Sequence, residues 1–272
     1  MSEASRPDFT RMSVRFERPG TDEVEVLPGL EYRATEAGAL VLDLYRSRER
    51  GGAARGAVIV ATGYSDVGAR RLFGRATREM APFRSWARLL AASGLVALLH
   101  ETGIDPRADL AALHAFVCAR AGELGLDPSR LGVLGCSGHG PNAVALAMDA
   151  TPPLRALALL YAYTLDEGGE TAVAEAAATF RFSHPTAGRS VAELPEATAY
   201  LLVRAGGDEC PGLNVALERF FAAARARGLD VALRDVTGAP HAFDLLRDDE
   251  ASRAAIGEIL AFFVGRLRAG EP

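Results

Sequence analysis

The chain of 272 residues is long enough for one large α/β domain or two small ones with a substantial core. Hydrophobic residues make up 49%, and the formal net charge is −5 with a pI near 5.6, a balance that offers nothing to a nucleic-acid backbone or an anionic membrane. No apolar run approaches the roughly 20 residues that span a bilayer, and the polar stretch Met1–Thr10 lacks a signal-peptide core, so a cytoplasmic protein is expected.

The first elements alternate apolar and polar residues: Met12–Phe16, Val24–Leu27 and Leu40–Tyr45. That period suits half-exposed antiparallel strands at a sheet edge. Arg48–Arg55 reads as a charged, glycine-containing turn. The rhythm then changes to unbroken apolar runs at Ala57–Ala61, Leu95–Leu99, Leu131–Leu134, Leu154–Tyr161 and Tyr200–Val203, as expected of strands buried on both faces. Helical patterns lie between them, at about Phe83–Ala92, Arg107–Leu124, Ser137–Ala150 and Leu213–Arg227. Asp127–Arg130 is a turn, and Val231–Val236 with Ala251–Leu267 gives a last strand and a closing helix. Strand alternating with helix predicts a mostly parallel sheet with helices on both faces. Residues 164–196 break the rhythm with an Ala-rich helix at Thr171–Thr179, and are read as a small cap or rim on a single domain spanning residues 1–272.

Chemistry gathers where strands end, the edge at which such sheets bind ligands. At Gly135-Cys136-Ser137-Gly138-His139-Gly140 an apolar run stops at small residues around one hydroxyl and passes into a helix. A serine held in a sharp, strained strand-to-helix turn needs small neighbours of this kind. Serine is a poor nucleophile without a base. The candidate base is His241, in the Gly/Pro loop after Val231–Val236, and the candidate acid orienting it is Asp208, just past Tyr200–Val203. Cys136 is the alternative nucleophile, and Glu209 and Asp166 are alternative acids. The oxyanion donors expected are the N–H groups of Gly138 and of Tyr64, in the loop after the first parallel strand. Tyr161, Tyr163, Arg181 and His184 are candidate substrate contacts on the rim; Arg181 with Arg189 would suit a carboxylate, and His100-Glu101 could line the pocket. His139 is read as a packing or capping residue.

Other chemistries are excluded. All 30 basic side chains are arginine, so lysine Schiff bases and a phosphate-loop lysine are ruled out. Three scattered cysteines form no Cys-x-x-Cys, and five histidines form no His-x-His or His-Glu-x-x-His, so neither a metal nor a cofactor is expected.

The three segments Gly135–Gly140, Ala205–Glu209 and Gly238–Asp244 resemble the α/β-hydrolase superfamily, and within it the dienelactone-hydrolase-like group, over about Ala57–Leu267. The resemblance implies an eight-stranded, mostly parallel sheet of the α/β-hydrolase fold. It implies Ser137 as nucleophile, Asp208 as triad acid, His241 as base, and Tyr64 and Gly138 as oxyanion donors. Dienelactone hydrolases proper carry cysteine at the elbow, and His139 stands where glycine is usual. The expected activity is hydrolysis of a small-molecule carboxylic ester or lactone through an acyl-enzyme. Acyl transfer on the same triad, or ligand binding by a non-enzymatic hydrolase scaffold, are the alternatives. No nucleic-acid or membrane partner is expected; a homodimer is compatible with the sequence.

Overall fold

The unbroken apolar runs form the centre of the sheet because only a strand buried on both faces can hide every side chain it carries. In the computed structural model, which describes residues 8–48 and 54–268, the strands are β1 (Val24–Thr35), β2 (Gly38–Ser47), β3 (Arg55–Ala61), β4 (Val96–His100), β5 (Leu126–Cys136), β6 (Ala156–Leu160), β7 (Ala199–Ala205) and β8 (Val231–Val236). They make one sheet in the order β1-β2-β4-β3-β5-β6-β7-β8, with the β1–β2 and β2–β4 pairs antiparallel and every pair from β4 to β8 parallel. The helices are α1 (Asp66–Phe73), α2 (Ala81–Ala92), α3 (Pro106–Ala119), α4 (Ala121–Leu124), α5 (Gly140–Asp149), α6 (Ala172–Phe180), α7 (Leu213–Ala226), α8 (Phe243–Leu246) and α9 (Glu250–Leu267). Among the described residues no helix is long and apolar enough to cross a membrane.

Successive strand residues point to opposite faces and so feed two cores. Val58, Val60, Leu99, Leu134 and Val203 pack with Trp86 of α2 and Ile259 and Phe263 of α9. Ile59, Leu98, Val133 and Leu202 pack on the other face with Leu113 of α3, Val144 of α5 and Phe220 of α7. Each such side chain contributes about 1.5–3 kcal/mol on burial. Caps set the helix starts: the side chains of Ser65, Asp105 and Asp249 accept from the amides of Gly68, Ala108 and Ser252.

Several elements differ from the sequence reading. Met12–Phe16 is not a strand; its alternation arises because Val14 sinks into the core while the backbone bonds elsewhere, Val14 N to Ser85 Oγ at 3.0 Å and Arg15 N to the Asp244 carbonyl at 2.7 Å. The two short edge segments lengthen into the β1–β2 hairpin. The Arg107–Leu124 helix divides at Arg120 into α3 and α4. The Asp127–Arg130 turn lies inside β5 as an irregularity: the partner of Arg55 is Leu126, and that of Ala57 is Leu131. The Leu154–Tyr161 run shortens to β6, and Tyr161 turns away with φ 36°. Helix α1 was not foreseen. The turn expected at Arg48–Arg55 and the stretch Met1–Thr10 lie largely outside the described residues.

Candidate active site

Ser137 stands at the end of β5 with φ 48°, in the left-handed region a side chain normally avoids. A 3-10 turn over Ser137–His139 then leads directly into α5. Close approach makes this geometry attainable: a Cβ on Gly140 would stand 2.0 Å from the Tyr163 carbonyl oxygen. The hydroxyl of Ser137 is held 3.0 Å from His241 Nε2.

His241 follows β8, and Asp208 follows β7. The loops that carry them press together at glycine, where a Cβ on Gly207 would lie 2.9 Å from the Gly238 carbonyl oxygen. The Gly207 N–H donates to the Ala239 carbonyl at 2.8 Å, tying acid loop to base loop. His241 Nδ1 donates to Asp208 Oδ2 at 2.6 Å, which fixes Nε2 as the acceptor facing Ser137. Burial acts to raise the Asp208 carboxyl, but the hydrogen bond and charge of His241 and the Cys210 amide at 2.9 Å outweigh it and hold the carboxyl below its ordinary value. Hydroxyl, imidazole and carboxylate therefore form one hydrogen-bonded line across three strand ends.

The competing assignments fall away. Cys136 points into the core at 4% exposure, and burial followed by the charge of Asp244 pushes its thiol far above the ordinary value. A thiol so held supplies no thiolate. Asp166 accepts from the Val173 and Ala174 amides at the start of α6, and Asp208 rather than Glu209 meets the imidazole. Among the described residues, the donors close enough to hold a metal ion are Asp208, Cys210 and His241, all within 4.8 Å. They include the acid and base of this same line, and two of them share its proton.

The loop after β3 lies on the other side of the serine. A Cβ on Gly63 would stand 3.1 Å from Ser137 Cβ, and one on Gly138 would stand 3.2 Å from the Gly63 carbonyl oxygen. Tyr64, the next residue, is partly exposed and packs edge-on against Phe73, with centroids 5.3 Å apart.

Of the candidate substrate contacts, the two tyrosines are buried. Tyr161 is buried, its hydroxyl donating to Asp244 Oδ1 at 2.7 Å and its ring centroid 4.6 Å from that of His241. Tyr163 is buried too, donating to the Pro211 carbonyl at 3.0 Å and stacking on Phe182. The backbone turns at Tyr161 with φ 36°, and both side chains are buried. His184 lies 3.9 Å from the Asp166 carboxylate, and burial lowers its pKa against the pull of that acid. Arg181 is exposed at the end of α6, whereas Arg189 is committed to Asp149 and Glu193, each at 2.8 Å. The carboxylate clamp expected of that pair is therefore not supported. His100 is buried, and Glu101 is held by Arg70 and Arg78. His139 is buried, at φ −90°, a conformation open to any side chain.

Sequence reasoning missed Phe182, whose Cβ and Cδ1 come within 3.3 Å of where a Gly138 Cβ would be. Its signal was the aromatic pair in Phe180-Arg181-Phe182. It also missed the buried pair of Trp86 and Asp244, whose indole N–H donates to the carboxylate at 2.8 Å.

No family model and no curated protein matches the chain. Solved structures do match. A thermostable esterase from Pseudomonas putida superposes with TM-score 0.68 at 18% identity, over 93% of this chain and 86% of that one. Carboxyl esterase 2 from the mycorrhizal fungus Tuber melanosporum gives 0.68 at 17%, over 97% and 93%. A bacterial heroin esterase gives 0.67 at 16%, over 92% and 86%. At these identities the likeness concerns architecture, and with the sheet order and the elbow at Ser137 it gives the conclusion that this chain has the α/β-hydrolase fold.

Proposed function

We propose that the protein is a serine hydrolase of small carboxylic esters or lactones, of the dienelactone-hydrolase-like kind but with serine at its elbow. The observation that carries this reading is the unbroken line from Ser137 Oγ through His241 to Asp208, at 3.0 and 2.6 Å, built on a left-handed elbow. The esterase structures that share the fold support the same reaction class.

Ser137 Oγ attacks the substrate carbonyl carbon while its proton passes to His241 Nε2. The imidazolium so formed is stabilised by Asp208, which remains ionised. The carbonyl oxygen gains the negative charge and is received by the N–H groups of Gly138 and Tyr64. A single donor of this kind is worth about 10²–10³ in rate. The intermediate collapses, the carbon–oxygen bond to the leaving alcohol breaks, and His241 returns the proton to that alcohol. Water then attacks the acyl-enzyme with His241 as base, releasing the acid and restoring the serine. Residues 164–196 place Phe182 over the oxyanion turn and serve as a small rim limiting the acyl side.

The test is hydrolysis of short p-nitrophenyl esters by Ser137→Ala, with a fluorophosphonate probe on the parent. A fall of at least about a thousandfold, a melting temperature close to the parent's, and a probe adduct on Ser137 are expected. Undiminished turnover, or an adduct elsewhere, would overturn the reading.

A further inference from the structure

Behind the His241 imidazole lies a second carboxylate that the triad does not use. Asp244 is 1% exposed, three residues beyond His241 in the sequence. Between them Ala242 adopts φ 57°, so the turn sends the imidazole toward Ser137 and the carboxylate into the core. Its two oxygens are separately held: Oδ1 by the Tyr161 hydroxyl at 2.7 Å, Oδ2 by Trp86 Nε1 at 2.8 Å. Burial raises the Asp244 carboxyl, while the Tyr161 and Trp86 donors and the charge of His241 act against that shift; an indole N–H can only donate, so the pair of partners suits the ionised form. Arg15 ties the same turn down, its amide donating to the Asp244 carbonyl and its Nε to that of Leu245 at 3.3 Å.

The Tyr161 ring links this buried anion to the imidazole. It is tilted 57° against His241 with centroids 4.6 Å apart, and lies edge-on to Phe243 at 5.9 Å. Its backbone is in a conformation that a tyrosine rarely adopts, φ 36°, and its amide donates to the Val203 carbonyl at 2.8 Å. A strained residue persists where its surroundings over-determine it. Here the Asp244 carboxylate supplies the side-chain anchor.

We propose that Asp244 is a positioning residue of the active site: through Tyr161 it fixes the face of the His241 imidazole, and its buried negative charge favours the imidazolium formed when Ser137 gives up its proton. The proposal rests on the triad reading above. The charged and titratable groups around this pair are Asp208 and Cys210 from the loop after β7, Cys136 and Ser137 from β5 and its turn, Tyr161 after β6, and Arg15 from the N-terminal segment. Asp208 bonds to Nδ1 and sets the tautomer. Asp244 approaches across the Tyr161 ring and contributes field, not a bond, to the base.

The experiment compares Asp244→Asn, Tyr161→Phe and the double variant, with Ser137→Ala as the control that tests the triad independently. Asparagine keeps the shape, removes the charge and turns an amine toward one of the two donors. Expected for Asp244→Asn is a kcat about tenfold lower, KM changed less than twofold, and the acid limb of the kcat/KM profile moved down by about half to one pH unit. Tyr161→Phe is expected to lose less, and the double variant to be no worse than Asp244→Asn alone, since both substitutions break one path. An unmoved acid limb, or losses that simply add, would overturn the proposal whatever the rates. Should Asp244→Asn fail to melt cooperatively, the acid limb of Trp86→Phe, which frees Oδ2 and keeps the charge, must stay in place while kcat falls; a limb that moves down there would count against the field argument. Activity surviving Ser137→Ala would instead refute the triad reading and leave this one without a reaction.

Discussion

Gly140 and Tyr163 lie against each other backbone to backbone, and the elbow depends on that contact. The Tyr163 amide donates to the Ser137 carbonyl at 3.1 Å, so the chain leaving β6 is fastened to the turn that carries the nucleophile. A Cβ on Gly140 would stand 2.0 Å from the Tyr163 carbonyl and 2.8 Å from Ala162 Cβ, and neither neighbour is a flexible side-chain end. Gly140→Ala is therefore expected to cost about 3 kcal/mol or more and to lower esterase activity further than its stability loss explains. Gly265, exposed in α9 with nothing near its Cβ position, is the contrast: Gly265→Ala should stabilise by about 0.5–1 kcal/mol. Urea denaturation of the two variants checks both signs.

Stability should fall as the pH drops from about 6.5 toward 5. Burial lowers the pKa of His100 to about 3, helped by the nearby His139, and that of His139 to about 4. Both start from 6.5. Below that value the unfolded chain binds protons at these positions while the native protein does not, so unfolding takes up protons and acid favours it. Each group contributes about 1.4 kcal/mol per pH unit within the window. Burial also lowers the pKa values of His114 and His184, which adds in the same direction. The carboxyls that burial raises, Asp66, Asp109 and Asp244, act in the opposite sense lower down. Chemical denaturation between pH 7 and 5 should give a positive slope of stability against pH. His139→Leu should remove about one proton from it, and an unchanged slope would sink the assignment.

The parallel half of the fold was readable because a doubly buried strand has to be an unbroken apolar run. Ala57–Ala61 and Leu131–Leu134 are buried throughout, and Gly132 among them leaves room for Phe263. The hairpin was harder. Pro28-Gly29 breaks the pattern after Leu27, but the register slips there between Leu27 and Leu30, and Asp43 Oδ1 accepts from the Gly29 amide. Helix α1 was hidden for the opposite reason: Val67 and Leu72 face outward, and only Asp66 and Ala69 are buried, so it has no apolar stripe to detect. The triad residues were legible because each follows a strand. The burial of Tyr161 and Tyr163 was not legible, because one residue's φ decides which way a side chain leaves a strand end. Asp244 could be seen as part of the histidine motif, yet one of its two hydrogen bonds comes from Trp86, 158 residues away.

Cys136 adjoins the nucleophile without sharing its chemistry. Its thiol is buried and held protonated, so alkylating reagents should leave Cys136 itself unmodified in the folded protein, as peptide mass mapping would show. Cys136→Ala removes one sulfur from the core beside Leu134 and Leu160, at a cost of about 1 kcal/mol. It should retain at least half the parent kcat/KM on a short p-nitrophenyl ester. Loss comparable to that of Ser137→Ala would return the nucleophile's role to the cysteine.

Phe182 is the residue through which the 164–196 segment should limit the substrate. It stacks on Tyr163 at 4.9 Å, and its Cβ and Cδ1 reach within 3.3 Å of the space above Gly138. A large acyl group entering beside Gly138 would meet this ring. Phe182→Ala removes it while Tyr163 stays tied to the Pro211 carbonyl, so the space beside Gly138 opens with Tyr163 still anchored. An added methylene in an apolar pocket is worth up to about 1 kcal/mol of binding. The kcat/KM ratio of hexanoyl to acetyl p-nitrophenyl ester should rise about tenfold in the variant. An unchanged ratio would show that acyl length is set elsewhere, and a rate fall for both esters alike would mean that Phe182 holds the oxyanion turn in place and does not gate the acyl chain.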